Sequence, residues 1–533
     1  MKIIKRILLI PVAAVMLFSC SIPETNDTEE SIPHIAALSA DDKYDPETVP
    51  LPVLSIETKN KAANAADFVT EPISRHVTEW IRRDFEPDFD APEPYYEDCS
   101  VSLCGTDGKT LIDGADAQVK VRGNWTTVYP KKPLRIKFTE KQGLLGLNNS
   151  NAFRNWLLLA EYKDCSMLRN KAVLYAARQI LGADGLYAAD ADFVQVEVNG
   201  EYMGLYLLTE MQQAAKNRVN ITVAEENYTG TDIGYFLEYD GYFYTEDDLH
   251  SFSLDFADNA PLIPYDGNNG SGKTVRCLNN TSSKHEREVG CTIKSDIYSR
   301  QQRDFIAGYI NNIYRIMYEA AYNHKAYVFS PDNMSISESS DITPQQAVEN
   351  VVDIDSLADM YIISELACDA DLAWSSFYMD VDLSNDHRKK LTFEAPWDFD
   401  SSMANRPRCT DGQGFYASAI VPDPDYDLDT VNPWFVLLAY EDWYQDIIRD
   451  KWTKAYDSGV FSRVCQMIGS DKEVLADEFS RNYQKWHNDK DKVEFIDELS
   501  ADERKCWTEK DSAERLLEWL GKRIEFLNSQ WHK

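Results

Sequence analysis

The sequence predicts an α+β chain with a β-rich N-terminal part and a mainly helical C-terminal part. Three observations carry this expectation. Short runs that alternate apolar and polar residues recur between positions 51 and 239. Helical spacing dominates from Arg303 onward, and a β-hairpin pattern at 377–394 interrupts it. Runs of strands followed by runs of helices are the order of an α+β protein.

Taken in order, Leu51–Thr58 (LPVLSIET) alternates like a strand and opens the globular region. Cys99–Leu103, Ala117–Arg122 and Leu134–Phe138 follow as strands. A helix is expected over Asp164–Gly182, with Asp164 as N-cap and Gly182 as its stop. Phe193–Val198 and Leu205–Thr209 read as a hairpin, because Asn199-Gly200 supplies the residues a tight turn needs. Ile233–Tyr239 is a further strand, and about 241–300 is a polar, Gly- and Asn-rich insertion. Helices are expected at Phe305–Ala321 and at Asp355–Leu366, the latter capped by Asp355, then from Trp434 to the end. The last of them is expected to draw a cap from Asp511 and Glu514.

The chain has 533 residues, 44% of them hydrophobic, enough for a packed core. Lys and Arg total 54 against 89 Asp and Glu, a formal charge of −35 that repels phosphate backbones, so nucleic acid is not expected as a partner.

At the N-terminus, Lys2, Lys5 and Arg6 precede an apolar run, Ile7–Phe18, that is short for a membrane span. It ends in Leu17-Phe18-Ser19-Cys20, which resembles a bacterial lipobox; an ordinary signal peptide is the plainer alternative. The expected organisation is a signal peptide at 1–19 and a flexible acidic tether at 20–50. The main folded domain at 51–440 and a helical extension or completion at 441–533 follow. Lipidation of Cys20 would hold the protein at a bacterial cell envelope, facing periplasm or exterior. Nine further cysteines show no C-x-x-C, which argues against a structural zinc site; Cys99–Cys104 and Cys277–Cys291 are the local disulfide candidates.

The chemistry concentrates in Asp371–Asp400, DLAWSSFYMDVDLSNDHRKKLTFEAPWDFD. A loop offers Asp371 and Ser376, a hairpin follows, and the chain leaves it as Trp397-Asp398-Phe399-Asp400. Phosphoryl transfer needs a carboxylate to orient or deprotonate the acceptor hydroxyl and others to hold Mg²⁺. Protein kinases place those parts in this order within a two-lobed fold. Asp369 is an alternative to Asp371, and a solvated loop with an aromatic-anchored turn is the bland reading of the whole stretch. Upstream, Gln118–Phe138 gathers Arg122, Lys131, Lys132, Arg135 and Lys137 around Gly123 and Asn124, a local reversal of charge suited to an anion or to a solvated face. Val198–Glu210 is a hairpin whose second strand ends in Glu210, a place where kinases hold adenine; a plain core hairpin is the simpler reading of these residues alone. No H-E-x-x-H, G-x-S-x-G or Walker A motif occurs.

Together RGNWTTVYPKKPLRIKF, NWLLLAEYKDCSMLRNKA, VEVNGEYMGLYLLTE with KNRVNI, DLAWSSFYMDVD and APWDFD resemble the CotH kinase family, over about residues 50–440. The resemblance implies an atypical protein-kinase-like, two-lobed fold that uses ATP and Mg²⁺ (or Mn²⁺) to phosphorylate a protein acceptor. It implies Asp371 as catalytic residue, Asp398 with Asp400 as metal ligands, and Lys132 or Lys137 on phosphate. Arg122, Gly123, Asn124, Arg169, Asn170 and Glu210 would complete the nucleotide site. Two departures stand out. Trp125-Thr126-Thr127 follows Asn124 where the family often has Ser-Thr, and Ser376 stands where the kinase pattern expects Asn, weakening a second metal site. The expected activity is therefore ATP-dependent Ser/Thr phosphorylation, with a non-catalytic binding protein or a different ATP-dependent transfer as alternatives.

Overall fold

The computed structural model describes residues 51–60, 96–123, 125–241, 243, 246–254, 261–267, 274–275, 290–369, 371–384, 389–423, 428–486 and 498–533. The chain divides into two compact units that interleave along the sequence. One comprises Met1–Glu140, Val194–Tyr206 and Asp477–Val493; the other comprises Lys141–Phe193, Leu207–Ala476 and Glu494–Lys533.

Seven strands close into a barrel: β1 (Val53–Thr58), β2 (Glu97–Cys104), β3 (Thr110–Val121), β4 (Leu134–Gln142), β5 (Phe153–Leu159), β6 (Ala191–Val198) and β7 (Glu201–Glu210). Their order is β1-β2-β3-β4-β5-β7-β6. This corrects the expected kinase-like two-lobed α+β fold: the chain is mixed α/β and contains a closed barrel. The physical reason lies in β1. It runs antiparallel to β2 along its whole length and, over Val53–Ile56, parallel to β6, so neither edge stays open. Alternation marks a strand's two faces but does not reveal which distant strand takes its second edge.

In the first unit the apolar face of β1, Leu54 and Ile56, is fully buried with Val101 and Leu103 of β2 and Val119 of β3. Gly204 on β7 has φ 121°, and a Cβ there would stand 2.7 Å from the Asn482 amide oxygen. That oxygen accepts the Leu205 N–H at 3.1 Å, so a side chain at 204 would displace it. Cys99 and Cys104 are both free, the ends of a five-residue step along β2. Such a step spans about 17 Å, beyond disulfide reach.

The second unit holds a five-stranded sheet. Its strands are β8 (Gly234–Asp240), β9 (Ser251–Ser253), β10 (Gly290–Ile293) and, after the small hairpin β11 (Ala326–Phe329)–β12 (Ile336–Ser339), β13 (Phe377–Asp382) and β14 (Thr392–Phe393). The order is β14-β13-β8-β10-β9, and β8 is buried at every position. Helices α1 (Arg169–Gly182), α2 (Arg300–Asn323), α3 (Pro344–Val351), α4 (Ile354–Ala367), α5 (Pro433–Leu438), α6 (Asp442–Asp457), α7 (Val460–Val474), α8 (Ala476–Trp486) and α9 (Glu509–Trp531) make up the helical part, with most of α8 in the first unit. α4 is buried all round except at Asp355, which fits its apolar composition. Its cap is Asp353, whose carboxylate accepts the Ser356 N–H at 3.2 Å, rather than Asp355. On α9 the capping box pairs Thr508 with Asp511, one register before the expected Asp511–Glu514 pair.

The hairpin β13–β14 and the residue after it bury three carboxyls, Asp380, Asp382 and Glu394. Burial raises Glu394 to about 7, against hydrogen bonds from the Tyr187 N–H and from Asp380. Between the ordinary carboxyl range and that value the folded protein keeps a proton the unfolded chain has released, so stability falls as pH rises. Glu394→Gln is expected to remove on the order of 3 kcal/mol of that fall. Urea midpoints at pH 5 and pH 8 check it, and an unchanged pH difference in the variant would refute it.

Candidate active site

The site is built in the second unit from the end of α4 and the exit of the β13–β14 hairpin. Cys368 closes α4 with φ 49°, a left-handed residue that turns the chain sharply. Asp369 follows, buried, and its carboxylate accepts the Asp371 N–H at 3.3 Å. The Asp371 carbonyl then accepts N–H groups from Trp374 (2.7 Å) and Ser375 (3.0 Å), fixing the loop as a tight turn. Ser376, at φ 60°, leads into β13 and gives its N–H to Glu238 of β8 at 2.9 Å.

Beyond β14 the chain makes a second constrained turn. Ala395 (φ 60°), Asp398 (φ 69°), Met403 (φ 48°) and Ala404 (φ 58°) all occupy the left-handed region, where residues with a Cβ are strained. Such strain persists only when surrounding bonds over-determine it, and here they do. The Phe399 N–H donates to Asn170 Oδ1 at 2.8 Å. Ser402 Oγ donates to the Phe399 carbonyl at 2.6 Å, and Asn405 Nδ2 donates to the carbonyls of Asp400 (2.5 Å) and Lys163 (3.0 Å).

Arg169 and Asn170 open α1 and act as the turn's clamp. Arg169 is fully buried; it pairs with Asp164 and, at 2.6 Å, with Glu503, while its Nε donates to the Ser402 carbonyl at 3.1 Å. Asn170 donates to Glu161 at 3.1 Å and accepts from Phe399 on its other side. Asp164 does not begin the helix as expected. It accepts the Ser166 N–H and hydroxyl and the Arg169 N–H, at 2.9, 2.7 and 2.8 Å, and the helix starts five residues later. A carboxylate that caps a preceding loop and one that caps a helix look alike in sequence.

Electrostatics tie the two turns together. Asp369 is held well above the carboxylate range by burial first, then by the charges of Asp371 and Asp398, with Asp400 adding. Asp400 is also raised: burial is the largest cause and Asp371 adds to it, while Lys163 and Arg406 oppose. Lys163 is buried and pairs with Glu498 at 3.2 Å, and Arg406 pairs with the same oxygen at 2.9 Å. Among the described residues no three His, Cys, Asp or Glu side chains are arranged to hold a metal ion as they stand. The donor chemistry still suits one: oxygen ligands whose mutual repulsion a hard divalent cation would relieve.

Asp371, Asp398 and Asp400 are thus brought into one charge-coupled group, with Arg169 and Asn170 beneath it. Ser376 is engaged with Glu238 instead. Glu210 is fully buried and bonded to Asn148 (2.6 Å), Arg218 (3.2 Å) and the Asp190 N–H (3.0 Å); burial raises its carboxyl all the same. Arg122, Gly123, Lys132 and Lys137 belong to the first unit. Lys132 is buried and donates to the carbonyls of Thr127 (2.8 Å) and Tyr129 (2.5 Å), bracing its own loop. Lys137 is exposed on β4 opposite Gln118, and Gly123 adopts φ 90° against Thr126. Asn124 and Cys20 lie outside the described residues. Lys163, Asn405 and Arg406 escaped sequence reasoning as site residues; the one available signal was Lys163 inside the run EYKDCSMLRNKA.

A mixed α/β protein with two strained carboxylate turns and an adjacent buried lysine is defined by these features. A family model described as CotH kinase protein matches residues 119–527, and the chain belongs to the CotH kinase family. No curated protein matches it. The matched region extends through most of α9, whose Arg523 pairs with Glu365 of α4 at 2.6 Å.

Proposed function

We propose that this protein is a protein kinase, moving the γ-phosphoryl of ATP to Ser or Thr of a protein acceptor. The observation that carries the reading is the charge coupling of Asp369, Asp371, Asp398 and Asp400 across two strained turns. A divalent cation bound there supplies charge neutralisation for the phosphates. Asp398 and Asp400 are its proposed ligands, and Asp371 orients the acceptor hydroxyl and takes its proton. Lys163 is the cation we assign to phosphate, since its ammonium already opposes the charge of Asp400. Arg169 and Asn170 keep the Asp398–Asp400 turn in place. Lipidation of Cys20, and with it an envelope location, belongs to the same proposal.

A binding role without turnover is the second reading, and Ser376 favours it: its amide is committed to Glu238 and it lacks the amide oxygen of an Asn. Incubation with ATP and Mg²⁺ or Mn²⁺, read by intact mass and by thermal midpoint, separates the two. Gain of a phosphoryl group, or nucleotide- and metal-dependent stabilisation, is expected of the kinase. Neither mass gain nor stabilisation would leave the binding role.

A further inference from the structure

Cys368 and Cys409 place their sulfur atoms 3.2 Å apart, as free thiols. The contact is held from both sides. The Met403 N–H donates to the Ala367 carbonyl at 2.7 Å, and the N–H groups of Tyr416 and Ala417 donate to the Glu365 carboxylate at 2.8 and 2.9 Å. Arg523 joins the same partners, donating to the Glu365 carbonyl at 2.7 Å and to the Gly412 carbonyl at 3.3 Å. Trp519 Nε1 donates to the carbonyl of Cys409 itself at 2.7 Å. The segment after the Asp400 turn is therefore fastened along the end of α4, and the two thiols meet because the backbone on each side is fixed.

We propose that Cys368 and Cys409 are a disulfide site that closes the base of the segment carrying Asp369, Asp371, Asp398 and Asp400. The sulfurs need approach by only about 1.2 Å to reach bonding distance. Cys368 is 2% exposed, whereas Cys409 is partly exposed and offers the point of entry. The Cys368 thiol donates to Cys409, and with the Arg523 charge it lowers the Cys409 thiol despite burial.

The oxidant is a disulfide, either a small molecule or an exchange protein. The Cys409 thiolate attacks one of its sulfurs, forming a mixed disulfide and releasing the first thiol. Cys368 loses its proton, and its sulfur attacks Cys409 Sγ, expelling the second thiol. Two protein thiols are oxidised and one reagent disulfide is reduced, a balanced two-electron exchange. The closed ring ties the Asp369–Asp371 loop to the Asp398–Asp400 turn covalently, whatever reaction the site performs.

Oxidised glutathione added to the full-length protein, then alkylation and a non-reducing digest read by mass spectrometry, tests the assignment. The expected result is a peptide linking Cys368 to Cys409, loss of both thiols from alkylation, and a thermal midpoint that rises on oxidation and falls back on reduction. In Cys409→Ser, Cys368 should remain alkylatable under the same treatment. Persistence of both thiols, or arrest at a glutathione adduct on Cys409, would overturn it.

Discussion

Replacing Arg169 with methionine is expected to destabilise the second unit by roughly 3–5 kcal/mol, the usual cost of removing one partner from a buried ion group. The guanidinium has no contact with solvent and is shared by two carboxylates, Asp164 and Glu503, that are themselves buried. Taking it away leaves two carboxylates in a low-dielectric interior, and the longer 3.5 Å pairing of Arg515 Nε with Glu503 offsets only part of that charge. Ser512 Oγ donates to Glu503 at 2.7 Å and Ser166 donates to Asp164, but hydroxyl donors do not neutralise a charge. Arg169→Lys should recover only part of the loss, since one ammonium cannot span Asp164, Glu503 and the Ser402 carbonyl as the planar fork does. Because Nε reaches Ser402, the damage should also loosen the Asp398–Asp400 turn. Urea unfolding measures the stability, and hydrogen exchange at residues 399–405 measures the loosening. A midpoint within experimental scatter of the parent would show that the triad is dispensable.

That triad also marks where sequence reading stopped. Arg169 and Asn170 could be singled out by motif, and Asn199-Gly200 does turn β6 into β7 with the positive φ values, 52° and 78°, that the dipeptide permits. The strands at 377–382 and 392–393 were equally legible, since strand patterning is local. Barrel closure was not. It depends on Val53–Ile56 meeting Gln195–Val198 in parallel, a pairing fixed by tertiary packing between segments far apart in the chain. The same holds for Lys163. A lysine after Glu-Tyr looks like any surface residue, and only the fold places it near Asp400 and Glu498. Lys132 is the converse case. Its company of cations suggested an anion site, yet its ammonium is turned inward onto two carbonyls. Charge counts along a strand say nothing about which way a buried lysine's stem will fold.

Asp371→Asn and Asp398→Asn are expected to part company, and the difference tests the division of labour within the carboxylate group. If Asp371 takes the acceptor proton, its amide variant should lose transfer by roughly 10²–10⁴-fold while keeping nucleotide- and metal-dependent stabilisation. If Asp398 is a ligand, its amide variant should lose that stabilisation together with transfer. The apo protein offers a second readout independent of turnover. The charge of Asp371 contributes to raising both Asp369 and Asp400, so in the parent the buried carboxyls hold protons that the unfolded chain gives up. Stability then falls as pH rises above the ordinary carboxylate range toward the elevated one. Neutralising Asp371 lowers both neighbours and should flatten that fall, leaving the variant more stable than the parent at pH 8 and little changed at pH 5. An Asp371→Asn protein that transfers phosphoryl at the parental rate would remove it from the catalytic role. One with the parental pH profile would show that the two turns do not share a field.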